Sequence, residues 1–265
     1  MLKDEYLFFT ERTQMKQSYL NFQVDHMTLL LQPRLYSVAY TIFRTVFGVQ
    51  AADILYDKRK EWEAGQGEKS MTYALMLGKA DETPRELMNT IVAVVQPSEP
   101  KSRPSHVRDM LDSHNAAAHW QHIALRTPDL LSFHEHALSL GVNFVTPILN
   151  DAAEDLIQVF SGEWFFPGMK SSGMFFEFLE RHPGEGTQKK LEEKNRQSWF
   201  RDQTFDGLYN EKEREYQSGK VTPFIDFELF EELEKRIGGK STFELSADDL
   251  KDCENIMRNY ASKKR

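Results

Sequence analysis

Three side chains in this sequence are of the types that bind a transition metal, and each stands in an apolar run. His26 lies in Phe22-Gln-Val-Asp-His-Met-Thr-Leu-Leu-Leu31, His122 in Trp120-Gln-His-Ile-Ala-Leu-Arg126, and Glu177 in Gly173-Met-Phe-Phe-Glu-Phe-Leu179. A carboxylate flanked on both sides by phenylalanine is costly to bury unpaired, so it demands a cation. Two imidazoles and one carboxylate are the facial triad that holds iron(II) and leaves coordination positions open for a substrate and oxygen. A lone strand histidine is more often a hydrogen-bonded core residue than a ligand. Recurrence of the histidine at matching places is what favours ligation here.

Strands must position these residues, and the pattern around them repeats. The His26 run is β-like; apolar residues then recur at helical spacing from Tyr36 to Phe47 until Gly48, and the runs Ala51–Tyr56, Met71–Leu77 and Thr90–Val95 follow. From His122 the order recurs. Asp129 caps a helix over Leu130–Leu140, Gly141 ends it, and Val142–Val145, Leu156–Phe160 and Met174–Leu179 supply three strands. The histidines are 122 − 26 = 96 residues apart, a module length rather than a solenoid period. The expectation is an α+β fold in which two βαβββ modules form one open mixed β-barrel. Period-two alternation puts Phe175, Glu177 and Leu179 on one face of their strand, Phe176 and Phe178 on the other, and Gln158 with Phe160 on a shared face.

The expected organisation is an N-terminal segment and first module over 1–98, a linker over 99–118, the second module over 119–182, and a C-terminal helical lid and tail over 183–265. Prolines from Pro97 to Pro104 mark the linker, which adds a short helix over Val107–Leu111. The stretch Gln188–Gln217, rich in charge with aromatics at Trp199, Phe200, Phe205 and Tyr209, predicts an amphipathic helix or helix pair. Ser246 caps a last helix running to about Ala261.

Composition narrows the partners. A net charge of −8 and a pI near 5.6 argue against nucleic acid, whose binding needs a basic excess. Cys253 is alone, so neither a disulfide nor a Cys-x-x-Cys site is available. No apolar stretch approaches a membrane span, and the N-terminus lacks the features of a signal peptide. The expectation is a cytoplasmic enzyme or binding protein, with a homodimer as the general prior.

Asp25-His26 in its apolar strand, Gln121-His122-Ile-Ala-Leu-Arg-Thr-Pro-Asp129, Leu156-Ile-Gln-Val-Phe160 and Phe175-Phe-Glu-Phe-Leu-Glu-Arg-His182 together resemble the vicinal-oxygen-chelate superfamily. Within it they are similar to the catalytic half of 4-hydroxyphenylpyruvate dioxygenase and its relative hydroxymandelate synthase. The resemblance runs from about Val24 to His182, and weakly on to Tyr216. It implies iron(II) at His26, His122 and Glu177, and a 4-hydroxyphenylpyruvate-like 2-oxo acid chelating through its carboxylate and keto oxygens. With O2 the substrate would be oxidatively decarboxylated and hydroxylated on its own side chain. The resemblance also implies that Gln121, Gln158 and Phe160 line the pocket. Phe205-Asp-Gly-Leu-Tyr209 resembles a lid helix whose phenylalanine clamps the substrate ring; core packing of a helix is the equal alternative.

Departures gather on the substrate side. The family's serine, asparagine and glutamine at the substrate's polar end align with Tyr73, Ser98 and His106, and Thr204 stands where an asparagine is usual. Full-length members carry a further, non-catalytic barrel ahead of the catalytic one, whereas the first strand here begins at Phe22. Aligning Val94-Val-Gln96 with Phe175-Phe-Glu177 puts Gln96 where the glyoxalase branch has a fourth protein ligand; a solvated strand-end glutamine beside Pro97 is the favoured alternative. His106, His114, His119, His134, His136 and His182 are read as non-ligands, with His106 and Tyr73 as candidate substrate contacts. Two other functions share the fold: extradiol-type ring cleavage, which normally adds an acid–base histidine and a tyrosine, and metal-free small-molecule binding.

Overall fold

The computed structural model describes residues 17–59, 62, 67–68, 70–78, 90–152, 154–195 and 205–264. The first module runs β1 (Gln23–Leu31), α1 (Pro33–Thr45), β2 (Ile54–Arg59), β3 (Ser70–Gly78) and β4 (Thr90–Val95). After α2 (His106–Ser113), the second runs β5 (Ala118–Arg126), α3 (Leu130–Ser139), β6 (Leu149–Asp151), β7 (Leu156–Glu163) and β8 (Phe175–Arg181). Local chemistry sets these limits. Pro33 begins α1 where its missing N–H costs nothing. The Asp129 carboxylate accepts from the Ser132 amide at 3.0 Å to cap α3, and Gly141, at φ +80°, ends it.

All eight strands form one curled sheet in the order β2-β3-β4-β1-β5-β8-β7-β6. Each module pairs its first and last strands in parallel, β1 with β4 and β5 with β8, and the modules join through antiparallel β1 and β5. The register across that seam is self-complementary: His26 pairs with Ala124 and Thr28 with His122. A local two-fold therefore exchanges His26 with His122 and Thr28 with Ala124.

The two sheet faces differ in kind. Against α1 pack Tyr73, Leu75, Val92 and Val94; against α3 pack Ile157, Val159 and Phe178, with Phe133 and Phe178 ring centroids 4.4 Å apart. The alternate residues, Thr72, Ala93, Val95, Gln158 and Glu177, face the concave side. Helix-facing burial thus fixes the register, and a one-residue slip would turn the metal-type side chains into the helix layer.

The strand expected over Val142–Val145 is not one. Val142 and Phe144 make only isolated bridges, to Ile225 and Ser161, and the edge strand is β6. The reason is the C-terminal segment. Asn143 donates its backbone N–H to Phe224 O at 2.9 Å and its side-chain amide to Pro223 O at 3.0 Å. A Cβ on Gly162 would lie 2.2 Å from Pro223 O, so glycine is needed for that close passage.

Helices α4 (Glu185–Asn195), α5 (Phe205–Ser218), α6 (Phe227–Ile237) and α7 (Ala247–Lys264) follow. The expected helix pair corresponds to α4 and α5, and Trp199 and Phe200 lie outside the described residues. Ser246 caps α7 as anticipated, its hydroxyl accepting from the Asp249 amide at 3.1 Å. Helix α6 was not anticipated: only Leu229 of it is buried, and Arg236 ties it to Asp249 and Asp252 of α7. Among the described residues, no helix is long and apolar enough to cross a membrane.

Candidate metal centre

His26 on β1, His122 on β5 and Glu177 on β8 converge on the concave face, with one ligand-type atom from each lying within 4.8 Å of the others. Glu177 Oε2 is 3.4 Å from His26 Nε2 and 3.3 Å from His122 Nε2. Glu177 Oε1 is buried without a hydrogen-bond partner among the described residues. A buried carboxylate with one oxygen beside two Nε2 atoms and the other unpartnered is what a divalent cation would satisfy. The three residues therefore fit a divalent metal ion.

Each histidine is oriented through its other nitrogen. His26 Nδ1 lies 3.1 Å from Asp25 Oδ1, and Arg181 clamps that carboxylate with two hydrogen bonds of 2.7 Å. His122 Nδ1 lies 3.2 Å from Gln121 Oε1, and its Nε2 is 2.9 Å from the Thr28 hydroxyl. With protons on both Nδ1 atoms, His26 Nε2 turns its lone pair to the cup and His122 Nε2 accepts from the Thr28 hydroxyl, a contact that a cation would replace. Such outer partners fix tautomer and ring orientation at metal sites.

The electrostatics follow from burial and these neighbours. Burial acts to lower the His26 pKa, but the Glu177 and Asp25 carboxylates outweigh it and raise it to about 10. His122, fully enclosed, is pushed down by burial against the pull of Glu177. Burial acts to raise Glu177, and the two imidazoles outweigh it, holding its carboxyl at about 2. In the metal-free protein the triad is thus a carboxylate paired chiefly with the His26 imidazolium.

The cavity above the triad is lined near its floor by Thr28, Gln121 and Gln158, and by the apolar Ala93, Val95 and Leu156. Over it lie Val107 and His106 of α2 and Leu208, Tyr209 and Lys212 of α5. Tyr56 and Lys58 approach from β2, and Asp151 and Glu154 from the β6–β7 turn.

The sequence-predicted residues divide. His26, His122, Glu177, Gln121, Gln158 and His106 meet at this cavity. Phe160 does not line it but packs beneath it with Leu149, Phe175 and Leu208, its ring 6.4 Å from that of His122. Tyr73 is a correction: alternation on β3 turns it to the helix face, against Tyr36 and Tyr40 at 4.8 and 5.3 Å. Phe205 begins α5, but its side chain lies outside the described residues, as does Thr204. Ser98 is fully buried away from the cavity.

Gln96 is a second correction. It is neither solvated nor at the metal cup; it is 4% exposed, and its amide donates to Ser70 O at 2.7 Å. The register identifies the true counterpart of Glu177. Glu177 pairs with Ala124, Ala124 corresponds to Thr28, and Thr28 pairs with Ala93. The position that could carry a fourth ligand holds a methyl group.

Sequence reasoning missed Ala93, the Arg181 clamp and the α5 residues Tyr209, Lys212 and Glu213. Arg181 was findable, since residues 177, 179 and 181 share a strand face. The resemblance pointed to a lid helix at Phe205–Tyr209, but which α5 side chains reach the cavity is set by tertiary packing.

The strand order is the paired-module arrangement of the vicinal-oxygen-chelate fold. No protein-family model matches the sequence, and no curated protein matches it. Among solved structures, the chain is similar to a triple variant of 4-hydroxymandelate synthase from Streptomyces coelicolor, at 15% identity and a TM-score of 0.47 over 74% of this chain. It spans about half, 54%, of that synthase. It is also similar to a methylmalonyl-CoA epimerase, at 18% identity and a TM-score of 0.41, over 64% of this chain and 100% of that one. The methylmalonyl-CoA epimerase from Mycobacterium tuberculosis gives 19% identity and a TM-score of 0.40, over 65% and 95%.

Proposed function

We propose that this protein is an iron(II)-dependent dioxygenase that decarboxylates and hydroxylates a 2-oxo acid of the arylpyruvate type. One observation carries the reading. Two Nε2 atoms and one carboxylate converge on a single point, while the two-fold-related fourth position is Ala93. A three-residue ligand set leaves coordination positions free for a chelating substrate and oxygen, whereas a fourth carboxylate would occupy one of them. Bound iron(II) would supply the oxygen-activating chemistry.

This chain's residues do the rest. His26, His122 and Glu177 would hold the cation, and Asp25 and Gln121 keep the two rings turned toward it. The Gln158 amide, at the cavity floor, is placed to hydrogen-bond a carboxylate or keto oxygen. Val95, Val107, Leu156 and Leu208 make an apolar wall that keeps water from the reacting atoms.

The test is to purify the protein anaerobically, quantify iron, and follow oxygen uptake and carbon dioxide release with a panel of 2-oxo acids. Stoichiometric release of carbon dioxide with at least one aryl-substituted member is the expected result. An iron-loaded protein that turns over none of the panel would overturn the substrate class. Uptake with catechols and no carbon dioxide would move the assignment to ring cleavage.

A further inference from the structure

The cavity wall holds a second ionisable pair that metal ligation leaves unused. His106 opens α2, is 2% exposed, and lines the cavity. Its backbone N–H donates to Glu213 Oε2 at 2.7 Å, and its ring Nδ1 lies 3.4 Å from that same oxygen, too poorly aligned for a hydrogen bond. The ring meets Tyr209 edge-on, with centroids 4.3 Å apart, and the Tyr209 hydroxyl donates to Glu99. Glu213 sits at the N-terminus of α2, where the helix dipole favours negative charge. The His106 ring and backbone N–H and the Gln217 amide beside it hold the Glu213 carboxyl below the ordinary carboxylate range, so it stays ionised at neutral pH.

An imidazole with a carboxylate at one nitrogen and a substrate cavity at its ring has the geometry of a base and its orienter. We propose that His106, oriented by Glu213, exchanges a proton with a hydroxyl of the substrate in the metal cavity, and so selects substrates bearing an enol or phenol O–H. The inference rests on the metal-site reading above. A small ring rotation aligns Nδ1–H with Glu213 and presents the Nε2 lone pair. The substrate O–H bond breaks, an N–H bond forms at Nε2, and the electron pair stays on the substrate oxygen. Glu213 stabilises the imidazolium, and the proton later returns to a product oxygen, so His106 ends neutral.

The other charged and titratable groups near His106 do not compete for this role. Lys212 is held by Glu163 at 2.8 Å and Glu215 at 2.9 Å. Burial pushes the hydroxyls of Tyr209 and Tyr216 far above their ordinary range, and Asp109, on the helix of His106 itself, is raised by burial and by Glu213.

The test uses the full chain loaded with iron(II) under argon, with 4-nitrocatechol as a probe whose absorption reports its ionisation. In the wild type the bound probe loses its second proton at a pH about 1–2 units lower than in His106→Gln, with Glu213→Gln between them. Equal ionisation in all three, or failure of the iron-loaded wild type to bind the probe, overturns the proposal and leaves the metal site standing. A wild type that takes up no iron overturns the metal-site reading itself, and metal analysis separates the two results. A measurement independent of metal guards against misfolded variants. Nitrogen-15 NMR of the metal-free chain should show the His106 Nδ1–H protected from exchange in the wild type and less so in Glu213→Gln, and equal protection in the two counts against the dyad.

Discussion

The two modules present the same histidine at the same strand position and support it by opposite means. His26 is partly exposed, with its side chain at 20%, and is anchored by an ionised carboxylate clamped by Arg181. His122 is enclosed, at 4%, and is anchored by a neutral glutamine amide and a threonine hydroxyl. Charge near His26 pushes that ring toward imidazolium, and burial keeps His122 neutral. The last strands diverge as well, with Glu177 on β8 where β4 has Ala93. The two modules thus carry one histidine each at the same place, and the acid lies in the second alone. This yields an asymmetric triad with one open side.

The strongest test of that asymmetry removes its single acid. Glu177→Ala should cost more metal affinity than the roughly 10–100-fold lost when an outer partner is removed, measured by competition with a chelating dye. Retention of wild-type affinity would mean the histidines converge for another reason. Next, Ala93→Glu restores the symmetry. Without metal it buries a second carboxylate near Glu177, which should lower the thermal midpoint. With a divalent cation the midpoint should recover by more than in the wild type, because four ligands now hold the ion. Oxygen uptake should fall, since a coordination position is filled. A variant whose midpoint ignores added cation would show that Ala93 does not face the site.

Much of this was legible in the sequence for reasons that are local. Period-two alternation and turn residues carry strand identity, and repetition carries the module order, so His26 and His122 could be assigned to equivalent strands and Glu177 to the last strand of the second module. Pairing register is not local. Aligning Val94-Val-Gln96 with Phe175-Phe-Glu177 suggested Gln96 as the counterpart of Glu177, and only the β1–β4 and β5–β8 registers show that it is Ala93. Tyr73 failed for a related reason: one residue decides which sheet face a side chain takes, and alignment to a family pattern does not fix that parity. The roof of the cavity was legible only in part, since the resemblance suggested a lid helix from Phe205 to Tyr209 but not which of its side chains face the sheet. The stretch reads as an amphipathic helix rich in charge, and nothing in that pattern singles out Lys212, which is 1% exposed and paired with a fully buried Glu163 on β7.

The smallest expected effects separate the two anchors themselves. Asp25→Asn removes the charge that orients His26, and Gln121→Leu removes the acceptor that orients His122. Each should weaken metal binding within the roughly 10–100-fold range of outer partners, the first more than the second because an ionised acceptor makes the stronger hydrogen bond. Acid distinguishes them further. Burial acts to raise the Asp25 pKa, but the hydrogen bonds from Arg181 and His26 outweigh it and hold the carboxyl well below its ordinary 3.8. A depressed carboxylate contributes stability that is present above its unfolded pKa and is lost as pH falls through the folded one. The difference in thermal midpoint between the wild type and Asp25→Asn should therefore be full above about pH 4 and shrink steadily below it. The corresponding difference for Gln121→Leu should show no such step, since an amide does not titrate. Parallel curves for the two variants would mean that Arg181 does not hold Asp25 in solution, and the contrast between the modules would reduce to exposure alone.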